Sequence, residues 1–224
     1  MDSIIVGNSE FALNLIEKGA NVSYSDADGV TIIIQAAYHG LTNVVEALIE
    51  KGVNLTSSNV EGINPLIAAA SEGHAQIVKA LIASGQMDVN SKDKDGTNAL
   101  MAASVRGHKD VVEALLHSGI DLNSQNSDGH SALMFAYNGK NQVQTLLDKY
   151  SEYMKDANDN STKVIKDALQ THSDVVNLLL SSGADPNLKD NDGHIAIDFD
   201  YKPPEIIIPG SETVSKVNEG LKEL

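Results

Sequence analysis

The sequence contains no cysteine and no tryptophan, and aromatic residues make up only 4% of it. The lack of cysteine excludes disulfides, Cys-ligated zinc, iron–sulfur clusters and thiol nucleophiles, and it fits a reducing compartment. Hydrophobic residues reach 42%, which is enough for a sizeable core. With so few aromatic side chains, that core must consist of Leu, Ile, Val and Ala, which suits thin layers of stacked helices.

Basic residues are also scarce, because 16 Lys and Arg stand against 31 Asp and Glu and give a formal charge of −15. Such a field repels phosphate backbones, so nucleic acid is a poor candidate partner. A basic protein surface would complement the charge, although acidity also serves solubility alone.

Long apolar runs are missing as well. No apolar stretch approaches the length of about 18 residues that a membrane-spanning helix needs. The N-terminus shows neither the basic region nor the long apolar segment of a signal peptide. We therefore expect no membrane insertion and a cytoplasmic protein, with the nucleus or an organelle left open.

An acidic residue followed by Gly recurs along the chain, at Asp28-Gly29, Glu61-Gly62, Asp95-Gly96, Asp128-Gly129 and Asp192-Gly193. The intervals between the first four of these pairs are 33, 34 and 33 residues, whereas the interval between the fourth and the fifth is 64. Halving the last interval points to Asp159-Asn160. Because Asn tolerates left-handed backbone geometry, we expect a further turn there.

Each unit between these turns repeats one pattern. A residue suited to capping a helix comes first, at Thr31, Asn64, Asn98, Ser131 and Thr162. Apolar and small residues follow, and a Gly ends this first helix, at Gly40, Gly73, Gly107 and Gly139. A second helix with paired apolar residues follows. Another Gly ends this second helix, 12 residues after the position of the first Gly, at Gly52, Gly85, Gly119 and Gly183.

This pattern closely resembles the ankyrin repeat over about residues 3–200, most clearly in Gly96–Asn123 and Leu178–Asn187. The resemblance implies an all-α solenoid of stacked helix-turn-helix units with β-turn or hairpin tips. It divides residues 1–200 into a partial repeat (1–23), five repeats (24–56, 57–90, 91–123, 124–154, 155–187) and a degenerate repeat (188–200). Residues 201–224 are a C-terminal extension, in which a helix from Ser211 covers the last apolar layer or docks a partner.

The largest departure from the repeat lies between Gln142 and Asn158, where the helix-ending Gly expected near Ser151 is missing. Here Val143 to Met154 can form one longer helix that displaces the next turn. A degenerate repeat and a partner-specific feature are both compatible with this segment.

No catalytic or metal-binding motif is present. The turns imitate calcium loops but lack the acid at the first position and the Glu at the twelfth; residues such as Ser57 and Ala68 stand there. His74, His108 and His172 recur with the repeat, which indicates inter-repeat hydrogen bonding as in the family. We expect no enzymatic activity, cofactor, metal or small-molecule substrate.

The resemblance implies a binding surface on the concave side, formed by the turn tips and exposed positions of the first helices. Mapped by family position, its residues are Asp28, Tyr38, His39, Glu61, Glu72, Lys94, Asp95, Arg106, Asp128, Phe135, Asn138 and Gln170. His130 and His194 are expected on the same side. The tip acids are turn formers first, yet together they give one edge a negative charge, and Tyr38, Phe135 and Arg106 are types that carry interface energy.

The sequence thus predicts a non-catalytic protein-interaction module, either an adaptor or a subunit of a larger assembly. Its partner would present a basic or mixed-charge protein surface, and salt would weaken the complex. The alternative is an inhibitor or chaperone-like regulator that masks one basic client protein.

Overall fold

The computed structural model of this 224-residue chain describes residues 9–153 and 160–196, without the side chains of 150–153, 160 and 161. Nine α-helices lie in these ranges, and β structure there is limited to isolated bridges. The helices are α1 Ser9–Glu17, α2 Ile32–Tyr38, α3 Thr42–Glu50, α4 Pro65–Ser71, α5 Ala75–Ala83, α6 Ala99–Val105, α7 Lys109–Leu116, α8 Ala132–Tyr153 and α9 Asn160–Ser181.

The first helix of each regular repeat is short because its two ends are fixed by local chemistry. The side chains of Thr31, Asn64 and Asn98 accept the N–H of the residue three positions on and so cap α2, α4 and α6. Gly40, Gly73 and Gly107 then adopt φ of 72°, 80° and 71°. Since side-chain-bearing residues rarely take this conformation, the helix ends there and the second helix can begin.

The turn tips between repeats form a continuous hydrogen-bonded ladder. Within each tip the first side chain, such as Asp26 or Asn59, accepts the N–H groups two and four residues later. Between tips, one N–H donates to the preceding tip's carbonyl in four successive bonds: Val60 to Asp28 (2.8 Å), Lys94 to Glu61 (2.9 Å), Ser127 to Asp95 (2.9 Å) and Asn191 to Asp128 (3.0 Å). The tips therefore stack in one row.

The core is one continuous apolar cluster, which fills the spaces between successive helix pairs. Val44, Leu48, Val111 and Leu115 have no exposed surface, and the same holds for the small Ala69. The small residues on the first helices let the layers approach, and the larger aliphatic residues on the second helices fill the space between them. At roughly 1.5–3 kcal/mol for each fully buried aliphatic side chain, stacking supplies most of the stability. The predicted all-α repeat solenoid is confirmed.

The structure corrects the expected helices after residue 131. Gly139 does not end a short helix, because α8 runs through it from Ala132 to Tyr153. Thr162 caps no helix either, since it lies inside α9. The physical reason is the spacing from the capping position. Gly40 is the ninth residue after Thr31, whereas the ninth residue after Ser131 is Lys140. A lysine does not take positive φ cheaply, so the helix continues.

The N-terminal half of α8 and the C-terminal half of α9 consequently serve as one helix pair of the stack. The interval of 64 between the tips at Asp128 and Asp192 exceeds the preceding interval of 33 by 31 positions. Most of this extra length lies in two antiparallel helical segments, residues 140–153 of α8 and 160–171 of α9, which we call the inserted hairpin. The separate helix pairs expected at 124–154 and 155–187 are not formed.

Three expectations fall on residues outside the described ranges. They are the start of the N-terminal partial repeat (1–8), the turn residue Asp159, and the C-terminal extension 201–224 with its helix from Ser211.

Candidate protein-binding surface

The C-terminal ends of the first helices bring Tyr38, Glu72 and Arg106 into one row across three repeats. Arg106 Nη1 donates to Glu72 Oε1 at 2.8 Å, and the two side chains keep 23% and 25% of their surface exposed. Ser71 Oγ supports the same carboxylate oxygen at 3.4 Å. A pair so placed has a fixed geometry but remains accessible from solvent.

Tyr38 is electrostatically coupled to this ion pair. Burial raises the pKa of the Tyr38 phenol, the charge of Glu72 raises it further, and Arg106 lowers it. The ring also meets His39 edge-on, with 5.2 Å between centroids, and His39 is exposed. The row therefore places the aromatic ring of Tyr38 beside a pair of opposite charges, Glu72 and Arg106.

The tips carry the exposed carboxylates that the sequence predicts. Asp28, Glu61, Asp95 and Asp128 are all exposed, and their carbonyl groups are held by the tip ladder. Lys94 lies 3.8 Å from Glu61, but both side chains are more than half exposed, so the pair contributes at most about 1 kcal/mol.

The tip carboxylates influence one another. At Asp93, burial raises the pKa most strongly, hydrogen bonds from the backbone of Thr97 and Asp95 lower it, and the charges of Asp95 and Glu61 raise it. The tip edge is thus a crowded negative surface.

Two of the predicted binding residues lie elsewhere than expected. Phe135 is only 3% exposed, and its ring packs edge-on against His130 at 5.8 Å, so it belongs to the core. Gln170 is exposed, but it lies on α9 in the inserted hairpin and donates to Asp174 at 2.8 Å. Asn138, by contrast, stays half-buried on α8, where it accepts a hydrogen bond from Gln142 at 3.0 Å.

His130 is also buried, at 4% exposure, and takes part in a cluster that the sequence did not reveal. Asp190 Oδ2 lies 3.5 Å from His130 Nε2 and 3.3 Å from His194 Nδ1, while Oδ1 accepts the N–H groups of Asp192 and His194. The cluster joins the last described tip to the one before it. The signal was a His after the tip Gly in two consecutive tips.

The recurring histidines form the inter-repeat hydrogen bonds predicted for them. The Nε2 atoms of His74, His108 and His172 lie 3.0, 3.0 and 3.2 Å from the carbonyl oxygens of Tyr38, Ser71 and Val105, respectively. Burial is the main reason that the pKa of His108 is lowered. Burial thus favours the uncharged form of this ring, which is suited to packing between repeats.

Among the residues that the structure describes, no group of three or more His, Cys, Asp or Glu side chains could hold a metal ion. Within the same ranges, no helix has the length and apolar character needed to cross a membrane.

Comparisons with known proteins agree with this geometry. The family model described as Ankyrin repeats (3 copies) matches residues 52–126 and 118–190. Among solved structures, the chain is similar to one described as the crystal structure of EF0377, an ankyrin repeat protein. The two share 24% identity with a TM-score of 0.68, over 88% of this chain and 87% of that one, which shows a common fold. No curated protein matches the chain.

Ankyrin repeats are generally protein–protein interaction modules, and the family is typically non-catalytic. The matched segments span more than half of the chain and contain helices α4 to α9. This chain therefore belongs to the ankyrin repeat family.

Proposed function

We propose that the chain is a non-catalytic interaction module, an adaptor or a subunit of a larger assembly. It binds a basic or mixed-charge protein through its concave face, which is formed by the tips and the first helices. The observation that carries this proposal is the exposed edge of tip carboxylates beside the row of Tyr38, Glu72 and Arg106.

The tips favour a basic partner because their charge is held in a fixed arrangement. The ladder from Val60 to Asn191 binds each tip to the next through backbone hydrogen bonds. A partner that meets this edge orders little of the backbone on binding, which lowers the entropic cost of association. Since many of the carboxylates are exposed, their attraction acts mainly at long range and is screened by salt.

The row beside the tips adds side chains that can supply short-range binding energy. Tyr and Arg are enriched among residues that dominate interface energetics, and Tyr38 and Arg106 keep accessible surface here. The Glu72–Arg106 pair presents both signs, so the row suits a partner of mixed charge.

The first test is a pull-down with identification of the partner, followed by affinity measurements on point variants. Tyr38→Ala and Arg106→Ala should each weaken binding at least about tenfold, the range typical of interface hot spots. Glu72→Gln is compared with Glu113→Gln, which removes an exposed carboxylate from the second helix α7. Unchanged binding in all three row variants would refute the assignment to the concave face.

An inhibitor or chaperone-like regulator that masks one basic client is the alternative, and the net charge of −15 supports it. Stoichiometry separates the two. A salt-sensitive one-to-one complex that blocks the client's own activity supports the regulator, whereas simultaneous binding of two different proteins supports the adaptor.

A further inference from the structure

Each helix of the inserted hairpin carries one apolar stripe. The stripes follow helical spacing, at Val143, Leu146 and Leu147 on α8 and at Val164, Ile165, Ala168 and Leu169 on α9. α8 and α9 pack against each other, and all of these side chains except Val164 are partly shielded from solvent. We call these seven residues the hairpin seam.

The hairpin seam is much less buried than the layers of the stack. Val111 and Leu115 have no exposed surface, and the buried apolar core reaches Ala136 on α8 and resumes at Val175 on α9. Within the inserted hairpin no described apolar side chain is buried, and Val164 keeps 64% of its surface exposed. This openness is expected, because a single helix pair cannot bury its apolar faces alone.

The hairpin also differs from the rest of the chain in its charge. Residues 140–171, which contain both helical segments and the stretch between them, have five Lys against five Asp and Glu, so their formal charge is zero. The whole formal charge of −15 therefore belongs to the rest of the chain. Two copies of the chain repel each other where their stacks meet, but not where their hairpins meet.

We propose that the hairpin seam is a self-association surface, on which the hairpin of a second copy packs to form a four-helix bundle. A surface that pairs with itself about a two-fold axis has to complement its own pattern. The seam does so, because its apolar residues are flanked by exposed charges of both signs, such as Lys163, Lys166 and Asp167. Two hairpins together enclose the apolar residues that one hairpin leaves open.

The size of the hairpin determines the spacing of the two stacks and the strength of the dimer. Residues 140–153 of α8 extend about 21 Å at about 1.5 Å per residue. An antiparallel pair of hairpins thus holds the two acidic stacks about 20 Å apart, roughly two Debye lengths at 0.1 M salt. A face about 20 Å long and two helices wide covers about 400 Å² per copy, which is small for a stable dimer. We therefore expect a weak dimer, with a Kd between about 10 µM and 1 mM.

Sedimentation and light scattering of the full chain test this proposal over that range of protein concentration. The chain should pass reversibly from monomer to dimer. An increase in salt from about 0.05 M to about 0.5 M should strengthen the dimer several-fold, because salt screens the repulsion between two copies of charge −15. Salt should weaken the complex with a basic partner at the concave face, so the two surfaces can be told apart.

Val164→Lys separates the seam from general electrostatics. It should weaken the dimer at least about tenfold because it places an ammonium group in the seam, although it reduces the net charge that drives two copies apart. The folded monomer should be unaffected, since Val164 is mostly exposed and Lys has the higher helix propensity. The matched control is Val60→Lys, the same change at a valine that is 48% exposed in a tip, and it should leave the dimer at least as strong.

A chain that stays monomeric up to about 1 mM would overturn the proposal, even if its hairpin bound a different protein. A dimer that Val164→Lys and Val60→Lys weaken equally would also overturn it, as would one that salt weakens. The concentration and salt series on the unaltered chain require no variant, so they decide the question should Val164→Lys fail to fold.

Discussion

The backbone N–H of Asn191 donates to the carbonyl oxygen of Asp128 across 3.0 Å. The tips between Asp28 and Asp128 are joined by the same bond at intervals of a single repeat, whereas this one closes an interval of 64 positions. The ladder thus continues past the inserted hairpin without a gap. One helix pair of the stack is therefore interrupted in sequence but complete in space.

Removal of the inserted hairpin should leave a folded stack. We expect a variant that lacks residues 141–171 and carries Lys140→Gly to fold cooperatively, because the new glycine followed directly by His172 restores the Gly107-His108 arrangement. Circular dichroism and urea denaturation measure this outcome. The variant should keep one sharp transition and lose helical signal roughly in proportion to the deleted residues.

The matched control deletes residues 124–154, which is equally long and corresponds to a unit expected from the sequence pattern. It removes the tip at Asn126–Asp128 and the buried Leu133, so it should abolish cooperative unfolding. If this deletion were tolerated and the first were not, the assignment of residues 140–171 as an insertion would be wrong.

Gly73 should be more sensitive to substitution than Gly85, although both have positive φ. A Cβ on Gly85 meets nothing within 4 Å, so Gly85→Ala should cost only the left-handed strain of about 1–2 kcal/mol. A Cβ on Gly73 would approach His108 Nδ1 to 2.7 Å and displace the ring from the Ser71 carbonyl. Gly73→Ala should therefore cost about 1 kcal/mol more.

Urea denaturation of the two glycine variants, with a common slope, checks this difference. Equal losses of stability would show that the His108 ring contributes nothing to inter-repeat packing at this position.

Tyr38 should reveal its coupling to the ion pair in an alkaline titration. Burial and Glu72 raise its pKa, so the folded state retains the phenolic proton above the unfolded value of about 10. The stability linked to this proton is complete below about pH 10 and is lost as the pH rises through the folded value. The ultraviolet difference titration of wild type against Tyr38→Phe isolates this phenol from the other tyrosines.

Glu72→Gln should move the Tyr38 titration to lower pH, because the carboxylate that disfavours the phenolate is gone. Arg106→Ala should move it upward for the opposite reason. If neither substitution moved the titration of Tyr38, the three side chains would not share one surface.

The regular part of the fold could be predicted because its signals are local. Thr31 and Gly40 mark the two ends of α2, and equivalent pairs mark α4 and α6. The inserted hairpin was obscured because Gly139 lies one residue before the position that matters. Lys140 stands where the first helix should end, and Thr171 stands where the glycine before a second helix should be. Neither is a glycine, so both helices continue.

The candidate surface was predictable only in part. Exposed tip positions follow from turn chemistry, so Asp28 and Glu61 lie where expected. Phe135 was misplaced because it occupies a position held by Gln35 in the first full repeat, and a residue's burial there depends on the neighbouring layer. A His follows the Gly in both tips of the Asp190 cluster, but the sequence does not show that these two tips, which are 64 positions apart, are neighbours in space.

The distance between neighbouring tips tests the central claim most directly. The chain has no cysteine, so pairs of spin labels can be placed at the exposed and equivalent positions Asp95, Asp128 and Asp192. Dipolar EPR should give the same distance for the 128/192 pair as for the 95/128 pair. A 128/192 distance about twice as long would place another repeat between these tips and contradict the inserted hairpin.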